Sequence, residues 1–171
     1  MLGRVLTAAV CLSPLAAMAQ EVPDLRVRLG IGFGGEYRLR NGDKARATGP
    51  EFALIVPVAE SRGLAFTLEP SFLAGGRLLG GGGANVDVYR ITLVGRRTLS
   101  GGVYGKAGLG FAHVLDRTDQ VNAASGVVGQ LGVGFPLRRI LQKFQPNLEV
   151  NYFASDSGQL RALSFGITGR L

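Results

Sequence analysis

The chain has 171 residues, enough for one domain, with 27 glycines, one cysteine, no tryptophan and a formal net charge of +7. No glycine recurs at every third position, which excludes a collagen helix, and the hydrophobic fraction of 46% argues against a disordered chain. No run of 18 apolar residues follows the N-terminal segment, so the sequence contains no transmembrane helix.

Residues 1–19 differ from the rest. Arg4 is their only charge, an apolar run covers Val5 to Pro14, and Ala17-Met18-Ala19 has the small-x-small form of a secretory cleavage site. The run is shorter than the ~20 residues a spanning helix needs. Val10 stands before Cys11 where a lipoprotein signal wants a small residue. The expectation is a cleaved signal peptide, residues 1–19, and a mature domain, residues 20–171, beginning at Gln20. Cleavage removes Cys11, and with it any internal disulfide or cysteine metal site. It also removes Arg4 alone among the charges, leaving the mature net charge at +6.

The first mature element is the most informative. Leu25, Val27, Leu29, Ile31, Phe33, Tyr37 and Leu39 alternate with Arg26, Arg28, Gly30, Gly32, Gly34, Glu36, Arg38 and Arg40. Successive strand side chains point to opposite faces, so period two gives one apolar face and one polar or tiny face. A polar loop is expected from Asn41 to about Gly49. Phe52, Leu54, Val56 and Val58 then alternate with Glu51, Ala53, Ile55 and Pro57, and a tight turn covers Glu60 to Gly63. Leu64, Phe66, Leu68, Pro70 and Phe72 form the third apolar face, opposite Ala65, Thr67, Glu69 and Ser71. A Gly-rich loop spans Gly75 to Ala84. Tyr89, Ile91 and Leu93 make the fourth strand, and a turn covers Gly95 to Gly101.

Val103 to Phe111 is the fifth strand, with Tyr104, Lys106, Gly108 and Gly110 on the polar side. A loop is expected from Leu115 to Asn122. Val127 to Phe135 is the sixth strand, and Pro136 to Phe144 a basic connection with room for a helical turn. Leu148, Val150 and Tyr152 mark the seventh strand. Ser155 to Gln159 is the last loop, and Leu163 to Leu171 the eighth strand.

Eight alternating segments of about ten residues, even in number, are the pattern of a bacterial transmembrane barrel. A soluble lipocalin-like barrel would show the same alternation with its apolar face inward. Three features favour the membrane form. Glycine crowds the charged face (Gly30, Gly32, Gly34, Gly108, Gly110, Gly132, Gly134, Gly166), where it makes room for long neighbours in an interior that side chains must fill. The apolar face is almost free of polar residues, as a lipid face must be, since a charge at mid-bilayer costs ~2–4 kcal/mol in such barrels. The last strand is expected to close the barrel and remove its open edge. The expected fold is therefore all-β, an eight-stranded antiparallel up-and-down transmembrane β-barrel.

On the stretches Val103–Phe111 (VYGKAGLGF), Gly129–Phe135 (GQLGVGF) and Leu163–Leu171 (LSFGITGRL), the chain resembles the small outer-membrane β-barrel proteins of Gram-negative bacteria, the OmpA/OmpX-like class. The resemblance covers residues 25–171. It implies the cell outer membrane, membrane lipids and lipopolysaccharide as surroundings, the outer-membrane assembly machinery as a partner in biogenesis, and a monomer. The family's last strand ends in an aromatic residue; this one ends in Leu171.

The resemblance raises enzyme and pore alternatives. A lipid A deacylase needs a nucleophilic serine within hydrogen-bond reach of a histidine. His113 is the only histidine and is followed by Val114 and Leu115, without a His-x-Ser arrangement; Ser155, Asp156 and Ser157 have no imidazole nearby in sequence. His113 is expected at the rim, facing headgroups. A palmitoylating barrel carries an N-terminal amphipathic helix, for which only Gln20 to Asp24 are available. Arg26, Arg28, Glu36, Arg38, Glu51, Glu69, Arg90, Lys106, Glu149 and Arg170 share the lumen parity. Buried charges need partners, so these are expected to pair and close the lumen. Gly80 to Gly83 lacks the Lys-Ser/Thr pair of a phosphate loop and reads as a surface loop. No catalytic, cofactor-binding or metal-binding residue is assigned, no cofactor is expected, and the scattered basic residues do not suggest nucleic acid. The expected role is structural or surface interaction: membrane integrity, lipopolysaccharide or partner contact. The alternatives are a lipid A-modifying enzyme and a narrow pore.

Overall fold

A computed structural model describes residues 24–38, 44–75, 86–117, 121–137, 146–155 and 160–170. Eight strands follow one another: β1 Arg26–Arg38, β2 Lys44–Ser61, β3 Leu64–Ala74, β4 Val86–Thr98, β5 Tyr104–Asp116, β6 Val121–Pro136, β7 Asn147–Ala154 and β8 Ala162–Arg170. Each pairs antiparallel with its sequence neighbours, and β8 pairs with β1, from Arg26 opposite Arg170 to Gly34 opposite Ala162. Closure leaves no strand edge with unpaired backbone groups, the condition for a sheet in hydrocarbon.

The alternation places the side chains as the sequence predicts. Leu109, Val127 and Leu131 are 69%, 62% and 62% exposed on the outer wall, in a belt that includes Leu29, Ile31, Phe52, Ile91, Leu148, Phe165 and Ile167. On the opposite parity Arg28, Glu149 and Gln130 are each 1% exposed. This inside-out partition, with charges enclosed and large apolar groups outward, suits a lipid surround and would be unstable in water.

Glycine on the inner face has a steric reason. A Cβ on Gly134 would lie 2.1 Å from Cζ of Tyr104, one on Gly132 2.5 Å from Oδ1 of Asn151, and one on Gly166 2.8 Å from Cγ of Arg28. These glycines are the space into which the long lumen side chains fold.

Several strands outrun their apolar stretches. β2 begins at Lys44 rather than after Gly49, and β6 at Val121 rather than near Val127. The added residues pair in register with β1 and β5, Lys44 opposite Arg38 and Val121 opposite Asp116. Strand ends that rise beyond the bilayer no longer need alternation, so the pattern does not mark them. Register shifts fall at Phe33/Glu36, Pro57/Ala59 and Val114/Leu115.

The two ends of the barrel differ. At one end lie Asp24, Arg170 and three connections, two of them short and the third, between β6 and β7, stretched to ten residues. Between β2 and β3, Arg62 (φ 50°) and Gly63 (φ 76°) form a two-residue turn, with both φ values positive as a type I′ hairpin requires. Between β4 and β5, a 3-10 turn at Ser100–Gly102 is closed by Leu99 N–H donating to the Val103 carbonyl at 2.7 Å. Between β6 and β7, Leu137 N–H donates to the Pro146 carbonyl at 2.8 Å. The helical turn expected within Pro136–Phe144, the Gly80–Gly83 run, and Asp156 and Ser157 lie outside the described residues. In barrels of this architecture the short turns face the periplasm and the longer loops the exterior.

Candidate functional site

Every strand contributes side chains to the lumen. Arg28 of β1 lies at the centre. Its Nη1 donates to Oε2 of Glu69 at 3.2 Å and to Oε2 of Glu149 at 3.0 Å, and its Nη2 to Oε1 of Glu51 at 3.1 Å. Lys106 Nζ from β5 stands between Glu69 and Glu149, at 3.0 and 2.8 Å from their Oε2 atoms. Arg90 of β4 reaches Oε2 of Glu51 at 2.7 Å, donates through Nε to Ser71 Oγ at 3.2 Å, and rests 3.9 Å from the centroid of the Phe153 ring.

Neutral groups complete the shell. Tyr104 donates its hydroxyl to Oε1 of Glu149. Ser164 Oγ donates to Oε1 of Glu51 at 3.1 Å. Gln130 donates to Glu69 and to Asn151, both at 3.2 Å, and accepts from Thr92 at 2.6 Å. Three cations (Arg28, Arg90, Lys106) face three carboxylates (Glu51, Glu69, Glu149), so the network has zero formal charge.

Toward the long-loop end the lumen turns apolar. Ala47, Leu73, Val86, Val88, Ala112, Val114, Val128 and Leu160 form one buried cluster above the charges. At the rim beyond it Arg117 binds Asp87 through Nε at 2.7 Å and donates to the Gly75 carbonyl at 3.1 Å. The Asp87 carboxylate holds the Arg117 guanidinium above its ordinary pKa. Along the axis, among the described residues, the ion network and the apolar cluster follow one another.

Among the ten charges expected in the lumen, six form this network: Arg28, Glu51, Glu69, Arg90, Lys106 and Glu149. Two belong elsewhere. Arg170 has a side chain 73% exposed and pairs through Nε with Asp24 at 2.8 Å, while Arg26, 28% exposed, donates to the other Asp24 oxygen at 2.8 Å. Both sit at the short-turn mouth, where the lumen parity opens to solvent. Their hydrogen bond and charge, Arg26 first, hold the Asp24 carboxyl below its usual value. The side chains of Glu36 and Arg38 lie outside the described residues.

His113 points outward near the long-loop end, half-buried. The register forms a row there: Phe72 opposite Tyr89, Tyr89 opposite His113, and His113 opposite Ser125. The Phe72 and Tyr89 rings meet at 5.0 Å. Ser125 is the residue that sequence spacing did not single out. It lies 12 positions from His113 and is brought beside it only by the β5–β6 register. Among the described residues no group of three or more His, Cys, Asp or Glu side chains could hold a metal ion.

No protein-family model matches the chain, and no curated protein matches it in sequence. Solved structures do. Neisserial surface protein A superimposes with a TM-score of 0.51 at 11% identity, over 86% of this chain and 96% of that one. The Yersinia pestis outer membrane protein Ail in a phospholipid bilayer nanodisc gives 0.48 at 14% identity, over 85% and 99%. The N-terminal β-barrel domain of Pseudomonas aeruginosa OprF gives 0.47 at 8% identity, over 87% and 99%. The fold is that of the small eight-stranded outer-membrane barrels.

Proposed function

We propose that this chain is a resident of the outer membrane, delivered after removal of residues 1–19 and inserted by the outer-membrane assembly machinery. Its role is structural or surface-interactive: it reinforces the envelope and contacts lipopolysaccharide or a partner at the long-loop end. It is neither an enzyme nor an open pore, and it acts as a monomer. The observation that carries the sealed reading is the lumen, where a charge-neutral network and an apolar plug stand in series. In planar bilayers the purified barrel is expected to show no stable single-channel steps. Long-lived openings of uniform size would refute the sealed lumen and favour the pore.

One observation supports a second reading. Ser125 and His113 are cross-strand neighbours on the outward face, three residues from the end of β5. A hydroxyl beside an imidazole is the minimum for attack on a lipid ester. Mass spectra of lipid A from cells expressing the chain decide between the two: an acyl-loss shift that His113→Ala and Ser125→Ala each abolish establishes the enzyme, and unchanged lipid A leaves the structural role.

A further inference from the structure

Outside the lumen, the wall formed by β3 to β7 carries a groove of about 710 Å3, within the range of small-molecule sites. Register explains its shape. Two rows of outward residues cross these strands. In the lower row Phe66, Gly95, Ala107, Leu131 and Tyr152 are successive partners. Phe66 is placed beside Gly95 by the side-chain contacts. In the row above, Leu93 and Leu109 are followed by Gly129 and Ala154. The small residues therefore lie low on β4 and β5 and high on β6 and β7. They make an oblique trough that crosses three strand spacings, about 14 Å.

A cation stands just beyond the residues that line the trough. Arg97 follows Gly95 by two positions on β4 and shares its outward parity. It lies opposite Leu64 and Gly105, is exposed, and among the described residues makes no ion pair or hydrogen bond. Gly105 leaves the space beside it open, with nothing within 4 Å of where a Cβ would stand. Arg62 occupies the adjoining turn, two residues before Leu64. A cation with no ion pair among the described residues, on the outward face just below an apolar trough, is complementary to an anion that carries a hydrocarbon chain.

We propose that this groove binds one anionic phospholipid of the periplasmic leaflet, with an acyl chain in the Gly95-to-Ala154 trough and the phosphate at Arg97. The leaflet follows from position. Arg97 is at the end that carries the two-residue Arg62–Gly63 turn, and in barrels of this architecture such tight turns face the periplasm. The site rests on the outer-membrane reading but is separate from the lumen and from the His113 row.

The chain has no tryptophan, so a single introduced one reports locally. Tyr152→Trp places it on the groove wall, and Ile167→Trp on β8 places it on outer wall away from the groove. Each variant is reconstituted in phosphatidylcholine bilayers containing brominated phosphatidylglycerol or brominated phosphatidylcholine, and heat-modifiable gel mobility confirms folding. If Tyr152→Trp does not fold, Leu131→Trp replaces it. Quenching at the groove is expected to favour phosphatidylglycerol about fivefold. The preference should be absent at position 167 and lost when Arg97→Gln is added. Equal preference at both positions, or preference that survives Arg97→Gln, overturns the site. Stronger quenching by brominated lipid A than by phosphatidylglycerol overturns the choice of lipid. Absence of quenching at both positions would instead refute the membrane reading itself.

Discussion

Arg28→Met tests the lumen network at its centre. Arg28 bridges Glu51, Glu69 and Glu149 at 3.0–3.2 Å with 1% of its side chain exposed. Without it Glu51 retains Arg90 and Ser164, while Glu69 and Glu149 share the single ammonium of Lys106. The enclosed charge goes from zero to minus one. Removing one partner of a buried pair costs about 3–5 kcal/mol. The loss is not three times that, because each carboxylate keeps another donor. With a typical urea slope of ~2 kcal/mol/M the unfolding midpoint should fall by roughly 2 M. The assay is equilibrium unfolding from lipid vesicles, followed by heat-modifiable gel mobility. The double variant Arg28→Met with Glu69→Gln restores neutrality and should recover at least ~1 kcal/mol relative to the sum of the two single losses. A single-variant loss below ~1 kcal/mol, or strict additivity in the pair, would refute the network as a coupled unit.

Leu131→Arg replaces an outward side chain that is 62% exposed. A water-facing site would tolerate it within about 0.5 kcal/mol, whereas a site in the bilayer should lose about 2–4 kcal/mol in the same unfolding assay. Gly134→Ala puts a Cβ 2.1 Å from a Tyr104 ring held by its bond to Glu149. It should cost about 1–3 kcal/mol, with most of the loss recovered on adding Tyr104→Leu; no recovery would mean that the ring is not the obstacle. The carboxyl of Asp24, hydrogen-bonded to Arg26, should titrate below 3.8 by NMR in a nanodisc, and Arg26→Gln should move it upward. Because the folded-state value is depressed, the tie from Asp24 to the barrel mouth is fully present above the ordinary carboxylate range and is lost as pH falls through the folded value. A wild-type midpoint at or above 3.8 would contradict it.

The barrel and its orientation are legible in the sequence because parity is a local property. Leu29 and Arg28 are adjacent, and their types alone place one in lipid and the other inside. Inner glycines such as Gly134 are legible for the same reason, since the interior of eight strands has a known width. What was not legible depends on register. Only the pairing shows that Arg28 meets Glu149, that Ser125 stands opposite His113, and that the small residues of four strands line up as one trough. Parity also fails at the mouth. Arg170 has the inward phase, yet the wall ends there and its side chain reaches solvent beside Asp24. The extensions of β2 and β6 are not legible because strand above the bilayer is under no demand to alternate.

The distribution of the lumen charges along the chain has a kinetic side. Arg28 must wait for Glu51, 23 residues later, Glu69, 41 later, and Glu149, 121 later. The outer belt can be satisfied hairpin by hairpin as each meets lipid. The inner network reaches three cations against three carboxylates only when β7 brings Glu149 round to Arg28 and Lys106. After β5 and β6 the strands carry Arg28, Arg90 and Lys106 against Glu51 and Glu69, one cation in excess, so the bonding of the first strand is settled late. The ion network thus acts as a late test of completeness: an assembly that stops at β5 or β6 holds a surplus cation, and the arrival of β7 removes it.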